Sequence, residues 1–144
     1  MLDLLDLNVW LALADADHEY HTRAKKYWET EAGKELAFCR VTMLGLLRLL
    51  TNRKVMRNNP FSAQEAWQAY RVFLALPEVI FLDESKGTDS QMANWSDTPI
   101  FAPHRWTDCY LAALAQVSGA RLVTFDVDFR VFSGLSYLRL VPES

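Results

Sequence analysis

The sequence predicts an α/β fold: a three-layer α/β/α sandwich of doubly wound type, built on a parallel sheet of four to five strands. Three observations lead there. Short, nearly continuous apolar runs recur, as in Leu36-Ala37-Phe38-Cys39 and Leu122-Val123-Thr124-Phe125, and such runs suit parallel strands buried on both faces. Segments with the apolar spacing of helices separate them. The 144 residues suffice for one domain and not two, so residues 1–144 are expected to form a single domain.

The elements follow in order. Leu2 to Leu7 is aliphatic apart from Asp3 and Asp6 and reads as a buried strand ending near Asp6. Asn8 to Ala14 gathers Val9, Trp10, Leu11 and Leu13 around a short helix, and His18 to Thr30 repeats the spacing through Tyr20, Ala24, Tyr27 and Trp28. After Gly33, Leu36 to Cys39 is the second strand, and Thr42 is the expected N-cap of a helix from Met43 to Leu50. Asn58-Asn59-Pro60 breaks the chain. Ser62 and Glu65 then form a capping box for a helix with Ala66, Tyr70, Phe73 and Leu74 on one face, ended by Pro77. Val79 to Leu82 is the third strand. Asp83 to Pro103, with Gly87, Pro99 and Pro103, reads as a mobile connection beside a site, with at most a helical turn around Gln91 to Trp95. Thr107 is the expected N-cap of a helix reaching Val117, Gly119 its C-cap, Leu122 to Phe125 the fourth strand, and Leu138 to Val141 a fifth at the edge.

Composition excludes several classes. No uninterrupted apolar run approaches the ~18 residues of a membrane helix, and the start lacks the cationic region of a signal peptide, so a cytoplasmic protein without membrane association is expected. Cys39 and Cys109 are distant in sequence and show no metal-ligand spacing. They are expected to be buried. A net charge of -3 lacks the global basic signature of nucleic-acid binders, so such binding must rest on a local patch.

Three acids occupy equivalent places. Asp6 ends the first strand, Asp126 directly follows the fourth, and Asp108 sits in the first turn of the helix leading into it. In right-handed crossovers, helix N-termini share an edge with the carboxyl ends of the strands, so all three should face one crevice. Clustered carboxylates repel, and with no thiolate or imidazole nearby they favour a hard divalent cation, Mg²⁺ or Mn²⁺. Phosphodiester hydrolysis is the chemistry such a site suits best. Asp128 is either a further ligand or a solvated loop acid. Asn8 could orient the Asp6 carboxylate or cap a helix, and the Thr124 hydroxyl could bond a site carboxylate.

Three segments, Leu5 to Leu13, Thr107 to Ala115 and Leu122 to Phe129, together resemble the PIN-domain ribonucleases, in particular VapC-type toxins of toxin-antitoxin pairs. The resemblance implies an Mg²⁺- or Mn²⁺-dependent endoribonuclease acting on tRNA, rRNA or mRNA. It also implies a homodimer held inactive by a cognate VapB-like antitoxin. Carried over by position, Asp6, Asp108 and Asp126 are the catalytic metal-site acids, with Asp128 a fourth candidate. The family's second motif often carries a Glu at its helix start, where Met43 and Leu44 stand here. That departure leaves an alternative: a catalytically weakened PIN-fold protein acting mainly through protein or RNA binding. Arg40, Arg48, Arg53 and Lys54, with Arg57, form a basic stretch that could contact RNA phosphates or remain a solvated face. His104 and Arg105 could approach a substrate at the crevice mouth.

Overall fold

A computed structural model describes residues 1–143. Five parallel strands form one sheet in the order β3-β2-β1-β4-β5: β1 Leu2–Leu5, β2 Glu35–Phe38, β3 Val79–Phe81, β4 Arg121–Thr124 and β5 Tyr137–Arg139. The chain builds outward from β1 through β2 to β3, then crosses back to lay β4 against the other side of β1. Leu4 of β1 accordingly pairs with Ala37 of β2 and with Leu122 of β4. The strand order reverses between β1 and β4, which is where open parallel sheets place their ligand crevice.

Alternate strand residues feed two cores. Leu5, Leu36, Phe38 and Val123 face helices α1 (Leu7–Ala14), α2 (His21–Thr30), α3 (Arg40–Leu50) and α4 (Ala63–Leu74). Leu4, Ala37 and Leu122 face the other way, against α6 (Trp106–Val117), with Met92 and Trp95 of α5 (Thr88–Ser96) packed at its margin. The result is the expected α/β/α sandwich. Trp10 stacks on Phe38 at 3.7 Å between ring centroids, and Trp10, Tyr27 and Tyr70 are buried, while Trp67 stays exposed. Cys39 and Cys109 are both buried and free, as expected.

Several boundaries differ from the sequence reading, each for a local reason. Helix α3 starts three residues early because Cys39 is its N-cap; the Thr42 hydroxyl accepts from the Cys39 N–H at 3.0 Å, making Thr42 the third residue of the helix. Helix α6 starts at Trp106, since a single 3-10 turn, Pro103–Arg105, leads directly into it and puts Thr107 inside the first turn. Helix α2 starts at His21 because the His18 ring nitrogen accepts from the Tyr20 N–H, turning the chain before it. The irregular segment from Asp83 contains α5, nine residues long, whose Thr88 is buried. After α3, Arg57 and Asn58 adopt left-handed backbone, with φ of 54° and 65°, and Arg57 reaches across to Asp15 at 3.0 Å.

At the amino edge of the sheet lies a buried ion pair. The Asp3 carboxylate accepts from Nε and Nη2 of Arg121, from the Tyr27 hydroxyl and from the Gly33 N–H. Four donors satisfy a fully buried charge, the condition under which such a charge is tolerable. Among the described residues, no helix is long and apolar enough to cross a membrane.

Candidate active site

Asp6 directly follows β1 and is the N-cap of α1. Its N–H donates to Val123 O at 2.8 Å, and its carbonyl accepts from Val9 N. Its carboxylate accepts from the Leu7 N–H at 2.7 Å and from the Thr124 hydroxyl at 2.7 Å. Leu7 can sit there because α3 presents Gly45 to it; a Cβ on Gly45 would lie 2.5 Å from the Leu7 side chain. A glycine in α3 thus leaves room for the Leu7 side chain at the start of α1.

Thr124 links two of the acids. While donating to Asp6, its hydroxyl oxygen accepts from the Asp126 N–H at 2.9 Å. Asp126 then accepts from the Asp128 N–H at 2.8 Å, fixing the turn after β4. Asn8 accepts from the Phe125 N–H at 3.3 Å, so it ties the start of α1 to the end of β4 and makes no bond to the Asp6 carboxylate. Asp108 is the third residue of α6, with its carboxyl toward the same edge.

The electrostatics show that these acids sense one another. Burial, more than any other cause, raises the pKa of Asp6 above the ordinary carboxylate value, and the charge of Asp126 adds to it; the bonds from Thr124 and Leu7 pull it down. Asp108 is raised to about 6, first by burial, then by the charges of Asp6 and Asp126, with Asp128 adding and Arg105 opposing. Arg105 approaches Asp128 at 4.0 Å and donates to its carbonyl at 3.4 Å.

Among the described residues no three acid, histidine or cysteine side chains form a closed metal-ligating group. The donor set still fits a hard cation. Mg²⁺ keeps several of its waters and takes as few as one or two carboxylates directly, so water-bridged ligation needs no closed cage. A cation would also offset the mutual repulsion that raises Asp108. His18 and His21 lie away from this chemistry: the His21 ring nitrogen pairs with Ala12 O, within the α1–α2 turn.

The basic stretch does not form one patch at this edge. Arg40 opens α3 at the carboxyl end of β2 and lies over the Phe81 ring at 4.5 Å. Arg48 lies in the last turn of the same helix, about 12 Å further along at 1.5 Å per residue, and Arg53 and Lys54 are exposed in the turn beyond. The start of α3 contributes no carboxylate, since Met43 is buried in the core and Leu44 is 55% exposed. Sequence reasoning missed Gly45, whose part depends on a contact with Leu7, and the apolar hollow beside Arg105, whose lining comes from distant segments.

Comparison with known proteins adds the following. The family profile of the PIN domain matches residues 4–135. Ribonuclease VapC41 of Mycobacterium tuberculosis is 38% identical over 145 aligned positions, covering 97% of this chain and 99% of that protein. Ribonuclease VapC38 of the same species is 35% identical over 128 positions, covering 85% and 84% of the two chains. Among solved structures, the sarcin-ricin-loop-cleaving toxin VapC20 of M. tuberculosis superposes with a TM-score of 0.71 at 20% identity, covering 95% of this chain and 98% of that one. VapBC2 of Rickettsia felis, bound to a DNA fragment from its promoter, gives 0.67 at 14% identity, covering 98% and 100%. At those identities the two structures speak to the fold.

Proposed function

The chain belongs to the PIN-domain family and is similar over nearly its full length to VapC ribonucleases, and from that premise we propose that it is an endoribonuclease toxin hydrolysing RNA phosphodiester bonds. The observation that carries the site assignment is the placement of Asp6 at the end of β1, Asp108 in the first turn of α6 and Asp126 just after β4, all at the β1/β4 switch point, with Asp6 and Asp126 joined through Thr124. Asp6, Asp108 and Asp126 would hold Mg²⁺ or Mn²⁺, with Asp128 as the further acid. The ion supplies activation of water and neutralisation of phosphate charge when bound.

The chain's own residues do the rest. Thr124 holds Asp6 in one orientation and, through its own acceptance of the Asp126 N–H, fixes the spacing between those acids. Asn8 keeps the α1 start against the β4 end. Arg105 restrains Asp128 and lessens its repulsion of Asp108. Arg40 stands on the same edge, where a phosphate backbone would pass, and Arg48, Arg53 and Lys54 would serve a longer RNA or a protein partner. Known VapC relatives and toxin-antitoxin structures support a VapB-like antitoxin as the controlling partner. A homodimer and a cytoplasmic location belong to the same reading.

The test is incubation of the purified chain, free of antitoxin, with total RNA and Mg²⁺ or Mn²⁺. Cleavage that stops in EDTA and in Asp126→Asn, with the fold intact by circular dichroism, is expected. Metal-independent cleavage, or full activity in Asp126→Asn, refutes the assignment. No cleavage together with retained partner binding would favour a weakened interaction protein, consistent with the missing acid at the start of α3.

A further inference from the structure

Beside the acids lies a hollow that the reaction chemistry does not use. Trp95, Thr98, Ile100, Phe101, Arg105, Val131 and Phe132 line a cavity of about 190 Å³ between the α5–α6 connection and the 3-10 turn after β4, Asp128–Val131. Ile100 is 87% exposed and Val131 51%. Trp106 adds an exposed indole whose ring lies 4.7 Å from that of Phe101.

We propose that this cavity receives one unstacked base of the RNA substrate, next to the scissile phosphate. The inference rests on the ribonuclease reading and assigns part of its substrate recognition. Continuity with the acid crevice is the first argument. Arg105 lines the cavity and also contacts Asp128, so the cavity adjoins the acid-bearing turn after β4 and a base entering here would leave its phosphate within reach of that turn. Chemistry is the second. Single-stranded RNA is read by splaying bases onto aromatic rings and guanidinium planes, and Trp95, Phe101 and Arg105 supply both kinds of surface. Size is the third. The volume lies below the ~300 Å³ lower end for sites that enclose whole drug-sized ligands, and suits a single planar ring system. A larger cleft, of about 470 Å³ lined by Phe61, Gln64, Glu65 and Gln68, offers one aromatic ring, no guanidinium and no link to the acids.

The test uses the full chain with two readouts. In EDTA, binding of fluorescein-labelled single-stranded RNAs of about twelve nucleotides is titrated for the parent and for Val131→Phe, a filling change at a half-exposed position. In Mg²⁺, the RNA ends left in total RNA are mapped for both. The expected result is binding weakened on the order of tenfold, the loss of one stacked base, with an unchanged melting temperature. The parent is also expected to show a base preference at one fixed position within about two nucleotides of the cut, relaxed in Val131→Phe. Unchanged binding and unchanged preference overturn the pocket and leave the ribonuclease standing. If Val131→Phe keeps both but escapes inhibition by the antitoxin, the cavity takes a peptide and the proposal is wrong. An uncleaved RNA that still binds in a Val131-dependent way refutes the ribonuclease alone; no RNA binding together with no cleavage refutes both, and cleavage with no Val131-dependent binding or preference refutes the pocket alone.

Discussion

Replacing Asp108 by Asn should stabilise this protein while abolishing its activity. The carboxyl of Asp108 is raised from its ordinary value of 3.8 to about 6 by burial and by neighbouring acids. A group whose pKa is higher folded than unfolded stabilises the fold below the unfolded value, and that contribution disappears as pH rises through the folded one. The window therefore runs from about pH 4 to just above 6. The full shift corresponds to about 3 kcal/mol at 1.36 kcal/mol per pKa unit. Asp108 is partly open to solvent, so screening reduces this to about 1–2 kcal/mol. Asp108→Asn removes the ionised form and should recover that amount at pH 7.5 in EDTA, raising the melting temperature by roughly 3–6 °C. The assay is thermal unfolding of both proteins from pH 4 to 8. The parent should lose stability across the window, the variant should be flatter, and Mg²⁺ should narrow the gap by stabilising the parent. Equal melting temperatures at pH 7.5, or a less stable variant, would show that the carboxylates do not strain this edge.

Thr124→Val keeps the shape of a buried side chain but removes one of the two donors to the Asp6 carboxylate, leaving only the Leu7 N–H, and strips the Asp126 N–H of its acceptor. It should cost about 1–3 kcal/mol in urea unfolding and about 10–100-fold in cleavage rate; an active, fully stable variant would sink the linking role. Gly45→Ala should cost about 1–3 kcal/mol through overpacking against Leu7, checked by the denaturation midpoint. Asp3→Asn should cost about 3–5 kcal/mol by stranding the Arg121 charge, while cleavage per folded molecule at low temperature stays at the parent level because Asp3 lies at the opposite edge of the sheet.

The acids were legible because a residue just past a parallel strand can face only one edge of the sheet. Asp6 and Asp126 are placed by that rule, and Asp108 by the matching rule for helix starts. Thr124 was legible as a donor to a site carboxylate because it sits two residues before Asp126. Asn8, a candidate either for orienting the Asp6 carboxylate or a metal water or for capping a helix, accepts from the Phe125 N–H, a bond that sequence separation does not reveal because the strand ending alongside it lies 117 residues away. Asp3 looked like an interruption of a hydrophobic strand, because its partners Tyr27, Gly33 and Arg121 converge only in three dimensions. Helix α5 was legible only as a turn around Gln91 to Trp95, for another reason: with Thr88, Asp89, Ser90 and Asn94 among its nine residues, it has too weak an apolar stripe, and packing against α6 rather than propensity makes it helical.

The pairing of β1 with β4 has a consequence for the timing of synthesis. Residues 2–5 wait for residues 121–124 before their second neighbour exists, and the bond from Thr124 to Asp6 spans 118 positions. At ribosomal speeds of about 5–20 residues per second, that interval is on the order of ten seconds. A nascent chain can assemble β1, β2 and β3 and the helices over one face during that time, but it lacks Asp126 and the threonine that aligns Asp6. On the proposed site assignment the chain therefore carries its own delay: the crevice at the β1/β4 edge is not assembled on a ribosome-bound fragment until the fourth strand has been made.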